Sequence, residues 1–226
     1  MNTLALLRGL RFVDSFFPSG GYAFSSGLEA AAAGGLVTDG AALRQYVSDL
    51  LEHGMAHREA VAAAAAHRAA RAADLRTIIV IDRELDAMKV GRDTRMASRQ
   101  MGRQVIRGAG QTDHVLIREY LDAVEQDRAP GHLPVSWGVV LAACGWLERD
   151  TVAGLLYQTA AGMVAAALKL LPIGQREGQQ VLESWLPLIE QISLEACGRT
   201  EMHAFVPVHD IYAMRHSRLV SRLFRS

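Results

Sequence analysis

Apolar residues recur at helical spacing along most of this chain, and the polar and glycine positions between them mark where one helix stops and the next begins. Leu4, Leu6, Leu7, Leu10, Phe12 and Val13 predict a short amphipathic helix. Residues 27–33 predict a second, ended by Gly34 and Gly35, since paired glycines favour a left-handed C-cap. Behind Thr38 or Asp39 as cap, Leu43, Val47, Leu50 and Leu51 fall on one face of a longer helix. The run from Ala60 to Ala73 has the highest helix propensity in the chain, and its small side chains allow close helix–helix approach. Val115, Leu116, Tyr120 and Val124 predict another helix, capped by Thr112 or Asp113, before the loop Pro130 to Pro134.

Two apolar runs follow, Ser136 to Leu147 and Val152 to Leu171, separated by Glu148, Arg149 and Asp150. The first is too short to span a bilayer. The second is long enough, but it contains Gln158 and Lys169 and many small residues, so it reads as a central buried helix. Segments of alternating Val, Ile and Thr are lacking; Thr77 to Ile81 is the one plausible strand and reads as a buried helical turn. The pattern therefore predicts an all-α, single-domain helical bundle of about ten helices over residues 1–226.

One stretch breaks the helical rhythm. Between Asp14 and Glu29, Phe16, Phe17, Tyr22 and Phe24 flank a turn at Pro18, Ser19, Gly20 and Gly21, where proline fixes φ and glycine tolerates positive φ. The aromatics are expected to fold back from both sides of the turn. Ser26 and Glu29 have the spacing of a capping box, which would start a helix near Gly27.

Composition narrows the function classes. The 226 residues carry 24 basic and 24 acidic side chains, so no whole-chain field favours nucleic acid or an anionic membrane. Cys144 and Cys197 form neither a CxxC pair nor a small-protein disulfide pattern and read as reduced, buried thiols. The N-terminus lacks the apolar core of a secretory signal, which makes the cytoplasm the expected location.

Candidate chemistry is sparse. His53 and His57 stand at i, i+4, a metal-binding geometry, without an HExxH motif or an evident third ligand. Arg92, Arg95, Arg99, Arg103 and Arg107 form a drifting basic stripe, either a solvated helix face or a dock for an acidic protein. Nucleophile-elbow, phosphate-loop and dinucleotide motifs are absent. Asp14, Ser15 and His216 could be imagined as a catalytic set, but nothing in the sequence brings them together.

Three separated blocks resemble the UreF family of urease accessory proteins. The first holds Asp14, Ser15, Pro18, Gly20, Gly21, Tyr22, Ser26, Gly27, Leu28 and Glu29. The second is Lys169, Pro172, Gly174 and Gln175, a K-x-x-P-x-G-Q segment. The third holds Asp210, Met214, Arg215, His216 and the run Ser221 to Ser226, while Ser217, Leu219 and Val220 depart from the Glu, Gln and Tyr usual there. The resemblance implies an all-α protein without catalytic chemistry or a resident cofactor, with nickel as the cargo of its complex. It implies docking on UreD (UreH in some organisms) and recruitment of the GTPase UreG for nickel insertion into apo-urease, with homodimerisation left open. An arginine that accelerates GTP hydrolysis on UreG is a further idea, and a small helical metalloenzyme using His53 and His57 is the alternative reading. Partner-binding roles fall to Glu29, Lys169, Arg215, His216, Arg222 and Phe224.

From about residue 215 the chain has four arginines (Arg215, Arg218, Arg222, Arg225), no acid, and Leu219, Val220, Leu223 and Phe224 as apolar anchors. Such a segment is expected to be flexible alone and to order on a partner. By local logic Lys169 offsets a helix C-terminus and Glu29 caps an N-terminus, jobs worth up to about 1 kcal/mol each.

Overall fold

The computed structural model describes residues 2–111 and 113–225; the Thr112 cap and the Ser226 match lie outside them. Within that range the helices are α1 (Thr3–Val13), α2 (Leu28–Ala33), α3 (Gly40–Asp49), α4 (Glu59–Arg71), α5 (Leu75–Met88), α6 (Arg92–Ala109), α7 (Val115–Glu125), α8 (Leu133–Cys144), α9 (Glu148–Leu170), α10 (Gln175–Ser184), α11 (Leu186–Cys197) and α12 (Pro207–His216). Twelve α-helices and no strand among the described residues make the all-α architecture plain, and Thr77 to Ile81 lies within α5.

Polar caps set several of the boundaries. Asn2, Asp39 and Asp74 each accept a backbone N–H of the first turn, from Ala5 at 2.8 Å, Ala42 at 2.8 Å and Thr77 at 3.0 Å. Asp39 rather than Thr38 therefore caps α3. The alanine helix stops at Arg71, because Ala73 turns left-handed (φ 55°) ahead of the Asp74 cap.

The core is built on α4, α8 and α9. Every residue of α8 from Leu133 to Ala142 is buried, and α4 lies directly against it. The alanines permit this approach, and Gly138 completes it: a Cβ there would stand 2.7 Å from both the Ala63 carbonyl oxygen and the Ala66 methyl. Gly138→Ala is therefore expected to cost about 2 kcal/mol through overpacking. A thermal melt should register it as a drop of roughly 4–8 °C. An unchanged melting temperature would show that the α4–α8 contact yields freely.

By length and composition α9 could cross a membrane, but it is packed by α4, α8, α10 and α11 and serves as the core helix the small residues predict. Two buried polar clusters tie the helices around it. Glu59, at the start of α4, accepts from Lys89 Nζ at 2.6 Å and Arg58 Nε at 3.1 Å, joining α4 to the end of α5. Asp82 of α5, wholly buried, accepts from the Tyr120 hydroxyl at 2.8 Å and from the backbone N–H groups of Gly131 and His132 at 2.6 and 3.0 Å. The loop before α8 is thus pinned from below.

Candidate partner-binding site

The turn after α1 is held by its own side chains. Asp14 Oδ1 accepts from the Phe16 N–H at 2.6 Å, Gly20 is left-handed (φ 80°), and a short 3-10 turn covers Gly21–Ala23. Only some of the aromatics fold back. Phe17 packs on Phe12 with centroids 5.2 Å apart, whereas Phe16 and Tyr22 are 94% and 82% exposed.

The expected capping box does not form. Ser26 (φ 52°) and Gly27 (φ 88°) are both left-handed, which carries the Ser26 side chain away from the first turn of α2. A Cβ at Gly27 would lie 2.9 Å from the backbone nitrogen of Ala213, so the crossing of α12 leaves room only for glycine there. Ser25 Oγ accepts the Glu29 N–H instead, at 3.4 Å.

The Glu29 carboxylate, freed from capping, is buried and reaches the far end of the chain. It accepts from His216 Nε2 at 2.7 Å and from the backbone N–H groups of Leu223 and Phe224 at 2.6 and 3.1 Å. Burial by itself pushes this carboxyl up, but the Leu223, His216 and Phe224 donors together hold it below the ordinary glutamate value. The Arg225 N–H donates to the Ala23 carbonyl at 2.8 Å, and the Lys169 ammonium sits 5.3 Å from the centroid of the buried Phe224 ring. In this structure the tail is folded onto α2.

Four of the six partner-binding candidates, Glu29, Lys169, His216 and Phe224, thus meet in one place. The other two do not. Arg215 lies over the Tyr212 ring at 5.4 Å, and Arg222 is exposed on the tail. Pro172, Gly174 and Gln175 shape the turn from α9 into α10, away from this cluster.

Next to the latch is a largely apolar cleft of about 530 Å³ lined by Leu10, Val13, Phe17, Phe24, Met101, Tyr157, Lys169 and Phe224. Its outer neighbour α1 buries only Gly9, Phe12 and Val13. Leu4 and Leu7 are exposed by more than half, with Leu6 and Leu10 also open to solvent. The first helix is amphipathic as its spacing predicts, yet most of its leucines face outward.

The remaining candidates have structural partners. Arg99 pairs with Asp86 at 2.6 Å, Arg103 with Asp127 at 3.1 Å and Arg107 with Glu125 at 3.4 Å, so most of the basic stripe staples α6 to its neighbours. Arg92 and Arg95 have no ion pair among the described residues. His53 and His57 do not share an α-helical face, because Leu50–Met55 is a π-helical stretch and His57 lies past its end. The His57 ring stacks on His203 with centroids 4.4 Å apart. Among the described residues no three His, Cys, Asp or Glu side chains gather as metal ligands.

Asp14 and His216 have separate partners, which dissolves the imagined catalytic set. A different Asp–His–Ser relay exists: His132 joins Asp86 Oδ1 through Nε2 at 2.9 Å and Ser98 Oγ through Nδ1 at 3.0 Å. Ser98 and His132 are buried, burial pushes the imidazole down to about 4, and the relay lines neither the cleft nor the cavity beside Lys169. It is an internal brace. Beside it, Asp82, in register with Ile78 and Leu85 on the buried face of α5, accepts the His132 backbone N–H.

Residues 37–185 match the family model UreF. "Urease accessory protein UreF 2" of Brucella canis is 34% identical over 224 residues, covering 97% of this chain and 91% of that protein. "Urease accessory protein UreF 1" of Brucella melitensis is 34% identical, covering 97% of this chain and 92% of that protein. "Urease accessory protein UreF" of Actinobacillus pleuropneumoniae is 29% identical, with coverages of 96% and 97%.

Proposed function

The chain belongs to the UreF family of urease accessory proteins, and from that premise we propose that it is a docking adaptor in urease maturation. It seats on UreD (UreH in some organisms), presents a surface to the GTPase UreG, and so supports nickel delivery to apo-urease in the cytoplasm. Nickel is the cargo of the assembly, and the adaptor contributes no catalytic step.

The observation that carries this reading is the latch between Glu29 and the tail. It unites the start and end of the chain into one face, with the apolar cleft and the exposed leucines of α1 beside it. Contiguous apolar surface of this kind marks a protein–protein contact, and exposed aromatics such as Phe16 and Tyr22 are suited to anchor it. The test is co-purification from a lysate expressing the urease operon. The full chain is expected to recover UreD and UreG, and a chain truncated after Met214 is expected to lose UreD. Recovery of neither partner by the full chain would overturn the proposal, and unimpaired UreD binding by the truncated chain would remove the tail from it.

A further inference from the structure

A second cavity, of about 360 Å³, opens between the Gly20–Ala23 turn, Gln100 of α6, Lys169 of α9 and the tail at Leu223–Arg225. Its lining includes Lys169, Arg225 and Gln100, and no Asp or Glu. Lys169 and Arg225 have no ion pair among the described residues. The carboxylate behind the tail, Glu29, is already engaged by three donors. The cavity therefore gathers basic residues without a carboxylate among its lining residues.

Two of its walls are also held in place. Lys169 rests against the Phe224 ring at 5.3 Å, and the backbone of Arg225 is fixed to Ala23 at 2.8 Å. A site ordered before its ligand arrives loses less entropy on binding. Charge-assisted hydrogen bonds to a carboxylate are the strongest such donors make. The rim decides between a free anion and a side chain: Tyr22 and Leu223, 82% and 62% exposed, offer apolar contact to the stem and backbone of a peptide.

We propose that this cavity receives a carboxylate side chain from an acidic segment of a partner protein, with Lys169, Arg225 and Gln100 as its donors. The inference rests on the adaptor reading, because a partner must supply the acid. It extends that reading by adding Gln100 and Arg225 to the site and by fixing the chemistry of what docks.

The test uses the full chain and a fluorescein-labelled tetraglutamate peptide, read by anisotropy. Lys169→Gln and Arg225→Gln are each expected to weaken binding about tenfold, and Gln100→Ala by a smaller factor. Arg71→Gln, which removes equal charge from the exposed end of α4, should leave binding unchanged. Melting temperatures within about 2 °C of the parent would assign the losses to the cavity rather than to folding. The proposal is overturned if the parent chain shows no saturable binding, if the cavity variants bind equally well, or if Arg71→Gln weakens binding as much. It is also overturned if inorganic phosphate displaces the probe at lower concentration than unlabelled peptide does. Failure of the parent chain to recover UreD would instead refute the adaptor reading, whatever the peptide does.

Discussion

Glu29→Ala is expected to destabilise the protein by about 2–4 kcal/mol, several times what losing a first-turn acid costs. The carboxylate is buried and has three donors, His216 Nε2 and the N–H groups of Leu223 and Phe224. Removing it leaves those groups without an acceptor, and a buried unsatisfied donor costs about 1–3 kcal/mol. The tail is expected to detach rather than bear that penalty, which makes residues 215–225 open to limited proteolysis. Thermal melting should fall by roughly 4–16 °C. The folded-state value of Glu29 is depressed, so its contribution is fully present above the unfolded value and disappears as pH falls through the lowered one. The gap between parent and variant should therefore close in acid. A variant that melts like the parent and keeps its tail protected would reduce Glu29 to a helix-end charge.

The second large effect is expected at Lys89. Glu59 is fully buried and held down at about 2, since Lys89 and Arg58 outweigh the upward push of burial. Breaking such a pair from one side costs about 3–5 kcal/mol, because it strands a buried charge. Lys89→Met should show a loss of this size in urea unfolding at pH 7. Replacing both partners, Glu59→Leu with Lys89→Met, should recover much of it. The sign with pH follows from the depressed value: the stabilisation is present above the unfolded glutamate value near 4.5 and is lost as pH falls towards 2. A single-variant loss below about 1 kcal/mol would mean that Arg58 alone satisfies the carboxylate.

The helices were legible because their evidence is local. Leu43 and Val47 of α3 at helical spacing, the Asp39 cap and the alanines of α4 each state their role within a few residues. The site was legible only in part, because its geometry is set across the chain. Ser26 and Glu29 have the spacing of a capping box, yet the backbone at Ser26 and Gly27 is left-handed and the Glu29 carboxylate binds the tail instead. Its partners lie 187 to 195 residues away, a distance that no local pattern reports. The basic stripe was visible, but its acids stand on α5, on α7 and just beyond α7. The resemblance picked out Glu29, Lys169, His216 and Phe224; the fold explains why those four belong together.

The bond between Glu29 and Phe224 joins residues 195 positions apart. During synthesis at 5–20 residues per second, the carboxylate therefore precedes its donors by roughly 10–40 s. For that interval the Glu29 carboxylate lacks the three donors it binds in the finished fold. A chain that has not yet reached these residues thus lacks the Glu29–tail contacts even when its core helices have packed. Closing this cluster therefore falls late in synthesis, after residues 216–224 have been made.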